Sequence, residues 1–135
     1  MSLGYGGAAR LVLQDDETVI YEYFADNLNH PKYCNKNCIY DGIITISKSA
    51  LVEPEIHRKV KRMPSGRKKL IEKRVLVEVN WSELYYSDLI QVQNSSYCWR
   101  ILDNGWGLMA LRIIRKIFDK YQENGALPQT VSWMS

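Results

Sequence analysis

The feature that most constrains the fold is an amphipathic stretch near the C-terminus. Over residues 106–123, apolar side chains recur at helical spacing and charged side chains fill the positions between them. Asp103 or Asn104 can cap the start of such a helix, and Gly125 can close its end. A helix with one apolar face must bury it against another element, so we expect it to cover one face of a sheet. The apolar positions are Ala110, Ile113, Ile114, Ile117, Phe118 and Tyr121.

Much of the remaining chain alternates between apolar and polar residues, as strands do. Residues 8–13 and 18–24 flank a polar segment of hairpin-loop length, which predicts an N-terminal β-hairpin. Both faces of residues 18–24 carry apolar side chains, and this predicts an internal strand. Residues 25–40 are rich in Asn and predict a long loop. Further strands are predicted at residues 39–47 and 67–79, with weaker candidates at 84–92 and 96–102.

Half of the basic residues lie in one segment. Residues 58–74 contain nine of the eighteen Lys and Arg residues and a single acidic residue, Glu72. Their net charge of +8, set against +3 for the whole chain, leaves −5 on the other 118 residues. The positive charge is therefore local.

A short helix is predicted at the start of this basic segment. Pro54 suits a first helical position, and Ile56, Val60 and Met63 then fall on one side of the helix. Met63 precedes a proline and so avoids helical angles, which ends the helix, and residues 64–66 signal a turn. The helix end and the next strand would then meet and bring five cations near one point. These are Lys61, Arg62, Arg67, Lys68 and Lys69.

The basic segment is the candidate binding surface, and phosphate is its natural ligand. Cationic side chains that neutralise a nucleic-acid backbone give salt-dependent, sequence-independent affinity, and the backbone amides of Ser65 and Gly66 can form an anion-accepting nest. We therefore expect a non-enzymatic module that binds a polyanion, with nucleic acid as the first hypothesis. The segment has no aromatic residue, so this hypothesis is electrostatic only. The expected site residues are Arg58, Lys59, Lys61, Arg62, Ser65, Gly66, Arg67, Lys68, Lys69, Lys73 and Arg74.

Three alternatives stay open. The basic run can be a solvated charged turn that serves solubility alone. It can also belong to a protein-interaction or regulatory domain that engages an acidic protein partner. An enzyme is the third alternative, with its site in the Asn-rich loop or under the C-terminal helix. The sequence has no catalytic, phosphate-loop or dinucleotide motif, so a non-enzymatic protein is expected ahead of it.

No metal or cofactor site is expected. His30, Cys34 and Cys38 are spaced four apart, and Cys98 or His57 can supply a fourth ligand, but structural zinc sites use tighter pairs. Three cysteines are too few and of the wrong parity for a secreted disulfide framework, so reduced thiols are expected.

Composition completes the expected architecture. With 135 residues, 46% hydrophobic and 24% charged, the chain is expected to form a single globular domain over residues 1–135. No stretch is long and apolar enough to span a bilayer, and we expect a cytoplasmic protein without a membrane partner. The predicted fold is α+β: a mainly antiparallel sheet of five or six strands, a short central basic helix, and a longer C-terminal amphipathic helix packed on one face.

Overall fold

The computed structural model describes residues 4–134 and shows an α+β fold. Five strands form an antiparallel sheet in the order β6-β3-β2-β1-β7, and β4 and β5 form a separate two-stranded antiparallel sheet. The strands are β1 (Tyr5–Gln14), β2 (Thr18–Asn27), β3 (Gly42–Ser47), β4 (Glu55–Arg62), β5 (Lys68–Val75), β6 (Ile90–Gln93) and β7 (Thr130–Met134). The helices are α1 (Trp81–Tyr85) and α2 (Leu108–Asn124).

The core lies between α2 and one face of the large sheet. β2 is the central strand, and its side chains Val19, Tyr21 and Tyr23 are fully buried. They meet the apolar face of α2, whose Ile113 and Ile117 are also fully buried. The predicted internal strand and the predicted long C-terminal helix are both present, because their apolar patterns have the periods of 2 and 3.6 that the two elements require.

The ends of α2 differ in detail from the prediction. The helix begins at Leu108 with Gly107 as its N-cap, and the Asn94 side chain accepts a hydrogen bond from the Gly107 amide at 2.7 Å. Asp103 instead accepts hydrogen bonds from Tyr85 and Tyr86. Gly125 closes the helix in a left-handed conformation, as expected for a glycine at this position.

The predicted short central basic helix is wrong. Residues 55–62 form strand β4, which pairs with β5 over eight consecutive residue pairs. Ile56 and Val60 are four residues apart, which fits one side of a helix. In a strand the same two residues also share a face, together with Arg58 and Arg62. Pairing with β5 decides between the two, and the turn of residues 64–66 joins the paired strands as a hairpin.

The weaker strand predictions are partly corrected. Residues 84–92 divide into the end of α1 and strand β6, and residues 96–102 form no strand and contribute one isolated bridge, Ile101 to Gly107. Strand β7 was not predicted, and it pairs with β1 at the edge of the large sheet. The loop of residues 28–41 is organised by buried Asn35, whose side chain accepts from the Ile39 amide at 2.9 Å and donates to the Ile39 carbonyl at 3.1 Å.

Candidate functional site

The basic residues of the sequence lie on a protruding β-ribbon formed by β4, β5 and the turn between them. Eight pairs of residues at roughly 3.3 Å per residue give the ribbon a length of about 25 Å. All residues from 55 to 74 are exposed, so neither face of the ribbon packs on the body of the protein. Residues 55–74 carry nine basic and two acidic side chains, a net charge of +7 that leaves −4 on the other 115 residues.

The turn at the tip of the ribbon is a three-residue hairpin connection. The Met63 amide donates to the Arg67 carbonyl at 2.7 Å, and the Gly66 amide donates to the Met63 carbonyl at 2.9 Å. Pro64 occupies the position that favours its fixed φ, and Gly66 adopts φ 85°, which an L side chain resists. Because the Gly66 amide is committed to the turn, the predicted pair of anion-accepting amides is reduced to that of Ser65.

The cations are gathered at one end of the ribbon but divided between its faces. The two residue pairs nearest the turn are Lys61 opposite Lys69 and Arg62 opposite Lys68, and neighbouring pairs point to opposite faces. With Arg67 in the turn, the five residues predicted to converge do share the distal end. They surround it instead of forming one flat patch.

Two of the predicted site residues have partners within the protein. The Arg58 Nε donates to Glu72 Oε1 at 2.9 Å in a cross-strand ion pair. Arg74 lies at the base of the ribbon against Gly125, where a Cβ would come within 2.5 Å of its Nη1. This places a positive charge beside the negative end of α2.

The other seven cations have no carboxylate within 4 Å among the residues that the structure describes. Two of the cross-strand pairs set like charges directly opposite each other, which destabilises a ribbon. An isolated two-stranded ribbon is only marginally stable by itself. The arrangement therefore lowers the stability of the ribbon and leaves these side chains without a counter-charge among the described residues. The seven residues are Lys59, Lys61, Arg62, Arg67, Lys68, Lys69 and Lys73.

The ribbon also carries exposed apolar side chains. Val60 and Leu70 are directly opposite each other, and they are 60% and 58% exposed. They share their face with Arg62 and Lys68, so this face combines an apolar centre with a cationic end.

The base of the ribbon is attached to the C-terminal part of α2. The chain leaving β5 is held by the Gln122 side chain, which makes two hydrogen bonds with the backbone of Val77. On the other side of the base, Tyr121 donates a hydrogen bond to Glu53, and this contact raises the pKa of Tyr121 to about 12. These attachments were not predicted from the sequence, because a Gln in the last turn of a helix is usually exposed to solvent.

The histidines and cysteines are not assembled into a metal site. Cys34, Cys38 and Cys98 are free thiols, and His30 packs on the Tyr33 ring at 4.9 Å between ring centres. His57 lies on the ribbon, with its Nε2 3.0 Å from Glu55 Oε2. In residues 4–134 no group of three or more His, Cys, Asp or Glu side chains is placed to hold a metal ion.

A second polar cluster is structural. The buried Tyr23 hydroxyl accepts a hydrogen bond from the Ser95 amide at 3.0 Å, and burial raises the pKa of Tyr23 to about 12. Beside it, Asp41 accepts hydrogen bonds from Ser95 and Ser96. Burial raises the pKa of Asp41, but these hydrogen bonds outweigh burial and hold the pKa below its ordinary value. The cluster fastens the loop after β6 to the core.

No helix within residues 4–134 has the length and apolar character needed to cross a bilayer. The fold and the ribbon together define an α+β protein with a protruding cationic β-hairpin. Comparison with protein-family models, with curated proteins and with solved structures finds no match to this chain.

Proposed function

We propose that this protein binds nucleic acid without sequence preference, using the β4–β5 ribbon as its contact surface. The observation that carries the proposal is a set of seven exposed cations that lie beyond the base of the ribbon and lack a carboxylate partner among the described residues. Polyanion binding supplies the missing negative charge, and it relieves the repulsion between Lys61 and Lys69 and between Arg62 and Lys68.

The shape of the ribbon favours a duplex over a single strand. Proteins that hold single strands stack the bases on aromatic rings, and residues 55–74 contain no Phe, Tyr or Trp. A two-stranded ribbon fits the major groove of B-form DNA, which is about 12 Å wide. Cations on both faces then reach phosphates on both walls of the groove.

Salt dependence gives a quantitative expectation. If all seven partnerless cations contact phosphates, the logarithm of the binding constant falls against the logarithm of salt concentration with a slope of roughly −6. Fewer contacts give a proportionally smaller slope. The slope therefore counts the contacts that the ribbon makes.

The test replaces the five distal cations of the ribbon with Gln and measures binding to a random-sequence 20-bp DNA duplex by fluorescence anisotropy. We expect the variant to lose at least tenfold in affinity at low salt and to have a slope reduced by several units. The replaced residues are Lys61, Arg62, Arg67, Lys68 and Lys69.

A matched control removes five positive charges from elsewhere on the protein. Its affinity should stay within about threefold of the parent. If both variants lose the same affinity, binding depends only on the net charge of the protein and not on the ribbon. If the parent protein does not bind DNA, the proposal is wrong. The control residues are Lys32, Lys36, Lys48, Arg100 and Lys120.

An acidic protein partner is the second candidate, and one observation favours it. Val60 and Leu70 form an exposed apolar pair beside cations, a combination that fits the centre and rim of a protein interface. Replacing both with Thr keeps the charge and the strand propensity. The double variant should keep its affinity for nucleic acid. If the partner is a protein, the parent should capture it even after nuclease treatment, and the double variant should not.

A further inference from the structure

A groove on the outer side of α2 gathers three cations that do not belong to the ribbon. It has a volume of about 420 Å³, within the range of small-molecule sites. Arg112, Arg115 and Lys116 line it from α2, and Trp133 of β7 lines it as well. The spacing of three and four residues places the three cations on one face of the helix.

Two of these cations are held in position by aromatic rings. The Arg112 guanidinium lies over the Trp133 ring at 4.3 Å from its centre, and Arg115 lies 5.4 Å from the centre of Trp81. Trp133 is itself stacked on Tyr5 at 5.8 Å. Guanidinium groups that are already ordered lose less conformational entropy when they bind an anion.

One of the three cations carries an unsatisfied donor. The Nε of Arg112 is buried and has no hydrogen-bond partner in the described part of the chain. A buried donor without an acceptor costs free energy, and such groups call for an explanation. None of the three cations has a carboxylate within 4 Å among residues 4–134.

We propose that this groove is a binding site for a small phosphate ester that carries hydroxyl groups. Two guanidinium groups and an ammonium group suit the charge and the oxygen geometry of a phosphate. Asp119 also lines the groove, one helical turn beyond Arg115 and Lys116, and its carboxylate can accept hydrogen bonds from hydroxyls. A sugar phosphate combines both features. This site does not depend on the proposed function of the ribbon.

The test is a titration of the ¹⁵N-labelled protein with inorganic phosphate, ribose 5-phosphate and ribose at constant ionic strength. We expect saturable shifts confined to residues 108–119 and 133, with ribose 5-phosphate binding at least threefold more tightly than phosphate and ribose not binding. Asp119→Asn should remove the preference for the ester. Lys116→Gln should weaken binding of ribose 5-phosphate about tenfold.

The matched control is Lys120→Gln, which removes the same charge from the same helix outside the groove. Its affinity should stay within twofold. Arg112→Gln is expected to abolish binding, and the exposed Lys116 provides the test if that variant does not fold. The proposal is overturned by shifts that appear only on the ribbon, by equal affinity for phosphate and ribose 5-phosphate, or by equal effects of the Lys116 and Lys120 variants.

Discussion

The Gln122 side chain and the backbone of Val77 form a pair of hydrogen bonds that joins the ribbon to the body of the protein. The Val77 amide donates to Gln122 Oε1 at 2.7 Å, and Gln122 Nε2 donates to the Val77 carbonyl at 2.9 Å. Gln122 is only 3% exposed, so water does not replace these bonds easily. The Gln122 amide therefore serves as a one-residue strand partner for the chain that leaves β5.

Gln122→Leu should destabilise the protein by about 1–3 kcal/mol, because the variant keeps the side-chain bulk and leaves both polar groups of Val77 without partners. Chemical denaturation measures the loss, and hydrogen exchange should show faster exchange of the Val77 amide. Gln93→Leu, at an exposed position of β6, is the control and should change stability by less than about 0.5 kcal/mol. Unchanged exchange at Val77 would contradict the anchoring role of Gln122.

The elements of this fold differ in how much of them is visible in the sequence. Helix α2 and strand β2 were predictable because their apolar residues repeat with a single period over many positions. β4 was not, because Ile56 and Val60 fit either a helix or a strand and the choice depends on pairing with β5. Gln122 has no local signal, since its role appears only when a segment 45 residues away is brought against it.

The candidate site was predictable in composition and not in shape. The charge of residues 58–74 is visible in the sequence, and the Pro64 to Gly66 turn follows from local conformational preferences. That Arg58 would pair with Glu72 depends on the strand register, which the predicted helix excluded. The groove on α2 was not predictable, because one of its lining residues, Trp133, belongs to β7. This short strand is positioned by its pairing with β1, which no local pattern indicates.

Tyr23→Phe should destabilise the fold by about 1–3 kcal/mol. The change removes the acceptor of the buried Ser95 amide and leaves the ring packing intact. Thermal or chemical unfolding measures the effect. Tyr86→Phe is the matched control. It removes an exposed hydroxyl and its solvent-exposed hydrogen bond to Asp103, which water can replace, so it should be close to neutral. Equal stability of the Tyr23 variant and the parent would mean that the Ser95 amide finds another acceptor.

Asp41 should make stability depend on pH in the acid range. Its pKa is lowered in the folded protein, so its carboxylate stabilises the fold at pH values above its ordinary pKa of 3.8. That contribution is lost as the pH falls below about 4 and through the lowered folded-state value. Asp41→Asn should reduce stability at pH 7 and show a smaller further loss between pH 5 and pH 3 than the parent.

Urea denaturation at pH 7, 5 and 3 measures this dependence. Asp88→Asn, which changes a carboxylate with no hydrogen bond to Ser95 or Ser96, is the control and should follow the parent curve. Parallel pH curves for the Asp41 variant and the parent would show that the serine hydrogen bonds do not stabilise the charged form.

Lys69→Glu should stabilise the ribbon and weaken its binding to nucleic acid. Lys69 lies directly opposite Lys61, so the substitution turns a repulsive pair into an attractive one, worth about 0.2–1 kcal/mol. In the parent protein, amide protection along β4 and β5 should rise with salt, because salt screens the repulsion. In the variant, protection should be higher at low salt and fall slightly as salt is added.

Lys69→Gln separates loss of repulsion from gain of attraction, and it should fall between the parent and Lys69→Glu in ribbon protection. DNA affinity should decrease in the order parent, Lys69→Gln, Lys69→Glu, because each step removes positive charge from the face that Lys61 and Lys69 share. Ribbon protection should therefore rise across this series while DNA affinity falls. This result is expected if the like charges destabilise the ribbon but are needed for binding. Lower protection in Lys69→Glu would show that cross-strand repulsion does not limit the stability of the ribbon, and unchanged DNA affinity in both variants would exclude Lys69 from the contact surface.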